Sequence, residues 1–183
     1  MLLAIKIIVR ILSFIVLIAV LVFTAYDVKS YQSRKDGINS LLLAASQDEI
    51  NPPPVVTQLV KETVNGKITW QATRLLIEKF GINSNVRTLQ QHANSLIWYS
   101  LVSLHLSEQE QMTVFLSQVY TGIEKRGLSA ASESMFHKPL SSLSLEQIAT
   151  LAIITKGPSY YAKKPESLEK ARASLLSRIS NGS

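Results

Sequence analysis

The chain opens on a run that is apolar almost without interruption. Between Leu2 and Tyr26 only Lys6, Arg10, Ser13 and Thr24 break it. Such a run lacks both the 3.6-residue period of a surface helix and the alternation of a strand, and it approaches the ~20 apolar residues that a helix needs to cross a bilayer. The uncharged part, Ile11 to Tyr26, is slightly short. Ile7 to Arg10 complete the span if the long basic side chains reach back to the headgroups. The rival is a cleavable signal peptide. A cut after Ala25 would put Phe23 where such sites take a small residue, so the segment reads as an uncleaved anchor. Asp27 to Asn39 is polar and basic, the character of a juxtamembrane connector. It is either solvated or held near anionic headgroups, at about 1 kcal/mol per basic residue.

Beyond residue 40 the apolar positions fall at helical spacing. Val56, Leu59 and Val60 make one short face, Asn65 and Gly66 a turn, and Ile68, Ala72, Leu75 and Leu76 the next helix. Ala93 to Leu106 is apolar nearly all round, which predicts a helix buried on most sides at the centre of a domain. Met112, Phe115, Leu116 and Val119 predict a helix with a single buried stripe. Ser107 with Glu110, and Ser144 with Gln147, have the S-x-x-E/Q spacing of a capping box. Lys156, Gly157 and Pro158 are expected to end a helix through a left-handed glycine. Pro165 opens a last amphipathic helix on Leu168, Ala171, Leu175 and Ile179. The pattern predicts a mainly α protein: a membrane anchor at 1–26, a connector at 27–39 and a helical domain at 40–180.

Composition narrows the chemistry. With 183 residues, 46% of them apolar, the chain can bury one real core after the anchor is set aside. Cysteine is absent, which removes disulfides, thiol nucleophiles and thiolate metal sites. The net charge of +6 suits nucleic acid, an anionic membrane surface or a pyrophosphate lipid. The anchor makes membrane lipid the expected partner and nucleic acid an unneeded one. His92 and His105 have no carboxylate at ligand spacing, so no metal site is expected; His137 is expected at the surface.

The stretch from Arg87 to Tyr161 also resembles the peptidoglycan glycosyltransferases of family 51. That family's pattern R-T-L-x-R-K-x-x-E-x-x-x-A-x-x-L-E runs into S-K-x-E-I-L-E-x-Y-L-N-x-x-Y-F-G, then G-I-E-A-A-A-x-x-Y-F-G-K. Against it this chain supplies Arg87, Thr88, Leu89, Ser107, Glu110, Leu116, Tyr120, Gly122, Gly127, Ala130, Ala131, Phe136 and Lys138. Leu145, Leu151, Ala152, Pro158, Ser159 and Tyr161 match the segment that follows. The resemblance implies a lysozyme-like helical domain on the outer face of a bacterial inner membrane, with a cytoplasmic N-terminus and a single pass. It implies lipid II or glycan strands as ligands, and, with no transpeptidase segment following, the monofunctional form. Lys6 and Arg10 agree with that orientation, which Lys29, Arg34 and Lys35 beyond the span weaken.

The chemistry that the resemblance implies needs two carboxylates. One takes the proton of the acceptor hydroxyl; the other, or a metal near it, assists departure of the lipid pyrophosphate. The first falls on Ser46 or Gln47, and the second falls on Ser95. Asp48 and Glu49 are the acids that a slip of register would bring into the first position, although Pro52, Pro53 and Pro54 replace the pattern that follows it in the family. The family's donor-site motif G-G-S-T-I-T-Q-Q-L-x-K-N is largely lost. Trp70, Arg74, Lys79 and Arg87 remain as candidates for a sugar ring or a pyrophosphate, against the plainer readings of a core aromatic and solvated basic faces. Three functions follow: a silent, membrane-anchored binding or regulatory protein of the cell envelope, preferred on the missing carboxylates; a divergent active polymerase of lipid II; and a helical membrane protein of unrelated role. No cofactor is expected, a divalent metal entering only with activity, and envelope proteins join lipid II and glycan strands as expected partners.

Overall fold

The computed structural model describes residues 2–181, and no strand occurs among them. The chain divides into two compact units between Asn39 and Ser40. In the first, α1 (Leu2–Tyr26) does not stop where the apolar run ends. A π turn (Asp27–Tyr31) and a 3-10 turn (Gln32–Arg34) carry it into α2 (Lys35–Leu43). The connector is therefore helical. It contains no proline, and its polar side chains turn back on the helix: Ser33 Oγ donates to the Lys29 carbonyl at 2.8 Å and Arg34 Nη1 to the Ser30 carbonyl at 2.8 Å. A π turn accommodates an extra residue without breaking the helix. The apolar segment is uncovered by protein and is long enough to cross a membrane, which fits a single-pass anchor.

The second unit is a bundle of short helices. α3 (Gln47–Ile50) precedes an extended Pro52–Pro53, and Pro54 takes the first position of α4 (Pro54–Thr63), where its missing N–H costs nothing. Asn65 and Gly66, both at positive φ, turn the chain into α5 (Ile68–Lys79). α6 (Thr88–His105), α7 (Glu108–Gln118) and α8 (Leu128–Phe136) follow, then a 3-10 turn (Leu140–Ser142), α9 (Leu145–Ile154), α10 (Pro158–Lys163) and α11 (Pro165–Asn181). The capping boxes at Ser107 and Ser144 both form.

The centre is α7. It packs on α3, α5 and α8, and every side chain from Gln111 to Ser117 is buried. This reverses the expectation from hydropathy. α6 buries only Asn94, Trp98, Leu101 and Val102 and leaves Leu89, Leu96 and Leu104 in the open. The polar residues of α7 tolerate burial because nearby carbonyls supply their partners: Thr113 Oγ1 donates to the Gln109 carbonyl at 3.0 Å and Gln111 Nε2 to the Leu106 carbonyl, at the end of α6, at 2.8 Å. Desolvation is cheap once the hydrogen bond is kept. Gly157, expected left-handed, is extended at φ −175°, and Pro158 beside it starts α10. α11 closes the bundle against α9 and α4 through Leu175, fully buried on the predicted face.

Candidate functional site

The acids around the first glutamate position are engaged in holding helices. Glu49 is only 5% exposed. One carboxylate oxygen accepts the Ser46 N–H at 3.0 Å, at the start of its own helix α3. The other accepts the Ser129 N–H at 3.1 Å, in the first turn of α8. An anion between two helix N-termini meets orphan donors and the positive ends of both dipoles. Ser46 Oγ reaches Ser129 Oγ at 2.6 Å and reinforces the junction. Gly127, at φ +102°, lies so near that a Cβ there would stand 2.7 Å from Glu49 Oε1. Asp48 does a similar job, its Oδ2 accepting the Ser141 N–H at 2.8 Å at the 3-10 turn. Gln47 is exposed. Ser46 and Glu49 have the same S-x-x-E spacing as Ser107 and Glu110, so this capping box was readable from the sequence.

At the second glutamate position Ser95 is half-buried on α6 and donates its hydroxyl to the Gln91 carbonyl at 2.8 Å. Gln91 Nε2, in turn, donates to the Val86 carbonyl at 3.1 Å, tying the helix to the loop before it.

An open cavity of about 590 Å³ lies between α5, the loop after α7 and the α9–α10 junction. Trp70, Gln71, Arg74 and Glu78 line it from α5, Tyr120 and Arg126 from the loop, and Lys156 and Pro158 from the junction. Of the four binding candidates the cavity takes Trp70 and Arg74. Lys79, at the end of α5, and Arg87, at the cap of α6, are exposed and outside its lining. Asp48 and Glu49 are outside it too. Arg126 Nη2 meets Glu78 Oε1 at 2.6 Å and Nη1 donates to the Gln118 carbonyl at 3.1 Å, so the charged loop is clasped to α5. With Arg126 and Glu78 paired to each other, Arg74 and Lys156 leave the lining with an excess of positive charge and an aromatic at its edge. Gln71, Glu78, Arg126 and Lys156 carry no mark in the sequence as site residues, because three separate segments bring them together.

Comparison with known proteins is consistent with this architecture. The transglycosylase family's sequence pattern matches residues 56–180, a stretch that contains Ser95 and the cavity and begins after Glu49. The chain is similar to penicillin-binding protein 1A of Pseudomonas aeruginosa, 27% identical over 43% of this chain and 10% of that protein. It is 30% identical to penicillin-binding protein 1A/1B of Bacillus subtilis over 55% of this chain and 11% of that one. With penicillin-binding protein 1C of Escherichia coli it shares 26% over 71% of this chain and 17% of the relative. The matched part is thus a small fraction of each relative's length. With a helical domain matched over most of its length, the chain belongs to the transglycosylase family.

Proposed function

We propose that the protein is a membrane-anchored, non-catalytic relative of the peptidoglycan glycosyltransferases that acts by binding in the bacterial cell envelope. The observation that carries this reading is the use to which the remaining acids are put: Glu49 and Asp48 are bonded to backbone N–H groups of distant segments, and Ser95 is bonded to its own helix. A general base must also stand where the substrate hydroxyl can reach it, and Glu49 is buried and neither acid lines the cavity. One placed proton carrier contributes on the order of 10² to 10⁴ in rate, so a site without two of them turns over negligibly. Binding is a different matter. The basic cavity with Arg74 and Lys156 suits the pyrophosphate of a lipid-linked sugar without any proton transfer. In this reading α1 spans the inner membrane once, Lys6 and Arg10 keep the N-terminus cytoplasmic, and the helical domain works outside, where lipid II, glycan strands and envelope proteins are at hand. No metal is part of the reading.

The test uses the full chain in detergent with labelled lipid II. Saturable binding without polymer is the expected result, and Arg74→Ala weakens that binding. Glycan polymer above the protein-free control would establish the divergent active enzyme instead.

A further inference from the structure

The four residues that break the apolar run of α1 do so on one side of the helix. Lys6, Arg10, Ser13 and Thr24 stand at i, i+4, i+7 and i+18. At 3.6 residues per turn that spacing places all four within an arc of about 60°, where four positions drawn at random fall together about one time in fifty. Leu17 and Val20 fill the gap between Ser13 and Thr24, so steps of four and three alternate along this side, the spacing of a seam that faces another helix. All four polar side chains are exposed, and the segment is uncovered within the chain. Thr24 Oγ1 donates to the Val20 carbonyl at 2.9 Å, which leaves its lone pairs as acceptors. The depth of the charges matters too. Ile11 to Tyr26 measures about 24 Å along the helix against the ~30 Å of a hydrocarbon core, so Arg10 stands inside the edge of that core.

We propose that this side of α1 is a docking seam for the transmembrane helix of another protein, one that carries a carboxylate at the depth of Arg10 and hydroxyl or small side chains beyond it. Ionisable residues within a span face other helices and pair there, and a guanidinium matches a carboxylate through two parallel hydrogen bonds. Serine and threonine hydrogen-bond across helix pairs in lipid. Reaching back to the headgroups accounts for two cations near one end of the span, but it gives no reason for Ser13 and Thr24 to share their side. A second copy is the wrong occupant. Copies inserted alike would lie parallel, with Lys6 against Lys6 and Arg10 against Arg10, and like charges repel strongly where the dielectric is low. Charge complementarity therefore selects an acid-bearing helix of a different chain. The inference goes beyond the binding function proposed above and rests only on α1 crossing a membrane, so a chain that polymerised lipid II would lose that function and keep this seam.

The experiment reconstitutes the full chain, donor-labelled at its N-terminus, in phosphatidylcholine vesicles and reads energy transfer to an acceptor-labelled synthetic helix. The probe is a leucine–alanine span with one glutamate at the depth of Arg10 and serines at the depths of Ser13 and Thr24. Saturable transfer is expected, weakened about tenfold when the glutamate of the probe is exchanged for glutamine. In Arg10→Gln the two probes should bind alike, because the charge pair is gone from both. The double variant Ser13→Ile with Ile15→Ser keeps the composition and moves the hydroxyl to the opposite side; it is expected to weaken binding about threefold. Undiminished binding by that variant would overturn the seam. Equal binding of the two probes to the wild-type chain once phosphatidylglycerol is added would overturn it as well, by assigning Arg10 to lipid phosphates. Copies of the chain that associate with each other more tightly than with the probe would replace the foreign helix with a second copy. Extraction of the chain from the vesicles by alkaline carbonate would remove the span and the seam together.

Discussion

Replacing Glu49 with alanine separates a structural carboxylate from a chemical one. The side chain is buried and accepts two backbone N–H groups, from Ser46 and Ser129, at 3.0 and 3.1 Å. Hydrogen bonds to a charged acceptor contribute about 1.5–3 kcal/mol each, and truncation leaves both donors without their partner. The loss of charge at two helix N-termini adds about 0.3–1 kcal/mol for each. Since the donors recover part of this through water in the space vacated, a destabilisation of about 3–5 kcal/mol follows, a large share of the roughly 5–15 kcal/mol of a typical domain. For a domain of this size that lowers Tm by on the order of 10 °C. Glu49→Gln keeps one acceptor but turns an NH₂ group toward the other donor, and is expected to lose about half as much. The assay is thermal unfolding of the full chain in detergent, followed by circular dichroism. A Glu49→Ala protein that melts with the wild type would refute the idea that this carboxylate joins α3 to α8. If that variant also lost a polymerising activity seen in the wild type, Glu49 would be restored to chemistry.

Gly127→Ala should be costly, by about 2–4 kcal/mol, because a Cβ at φ +102° is strained and would lie 2.7 Å from Glu49 Oε1 and 3.0 Å from the Ser117 carbonyl; chemical denaturation measures it. Leu175→Ala removes a fully buried anchor of α11 and should cost about 2–5 kcal/mol, with limited proteolysis cutting earlier between α10 and α11. The Glu146 carboxyl is held below its ordinary pKa by its own backbone N–H, with help from the Ser144 hydroxyl and Arg172. Its stabilisation is therefore complete above the ordinary carboxylate pKa and is lost as pH falls through the lower folded value. Glu146→Gln should flatten that part of the acid limb in a pH series of melts, and an unchanged limb would refute the assignment.

What the sequence disclosed, it disclosed through local chemistry. The boxes at Ser107 and Ser144, the turn at Asn65 and Gly66, and the start at Pro165 are each fixed by groups within four residues, and each stands in the structure where spacing put it. Hydropathy misjudged which helix is central because it scores side chains and not partners. α7 buries Gln111 and Thr113 once local carbonyls accept their hydrogens, whereas α6 exposes leucines that no other helix covers. The cavity was out of reach for a further reason. Arg126 and Glu78 are 48 residues apart, and nothing in either neighbourhood announces the other. Glu49 lay between these cases: its box with Ser46 is local and legible, while its bond to Ser129 spans 80 residues.

A serine at position 95 and the exposed aromatics beside it are physically connected. Ser95 and Tyr99 are one helical turn apart, so a group at the first lies on the face occupied by the second. An ionised carboxylate there would need water or a cation close by, and that solvation would compete with any apolar ring stacked on Tyr99. Serine makes no such demand, since it satisfies its hydroxyl on the Gln91 carbonyl within the helix. The neighbourhood is then free to be apolar, and Trp70 can lean toward Tyr99 across the α5–α6 groove. At α3 a glutamate drawn down between two helix starts joins α3 to α8 through the Ser46 and Ser129 N–H groups. In both places the side chain present is satisfied by backbone groups of the bundle, so the helices keep their packing without a hydrated charge at position 95.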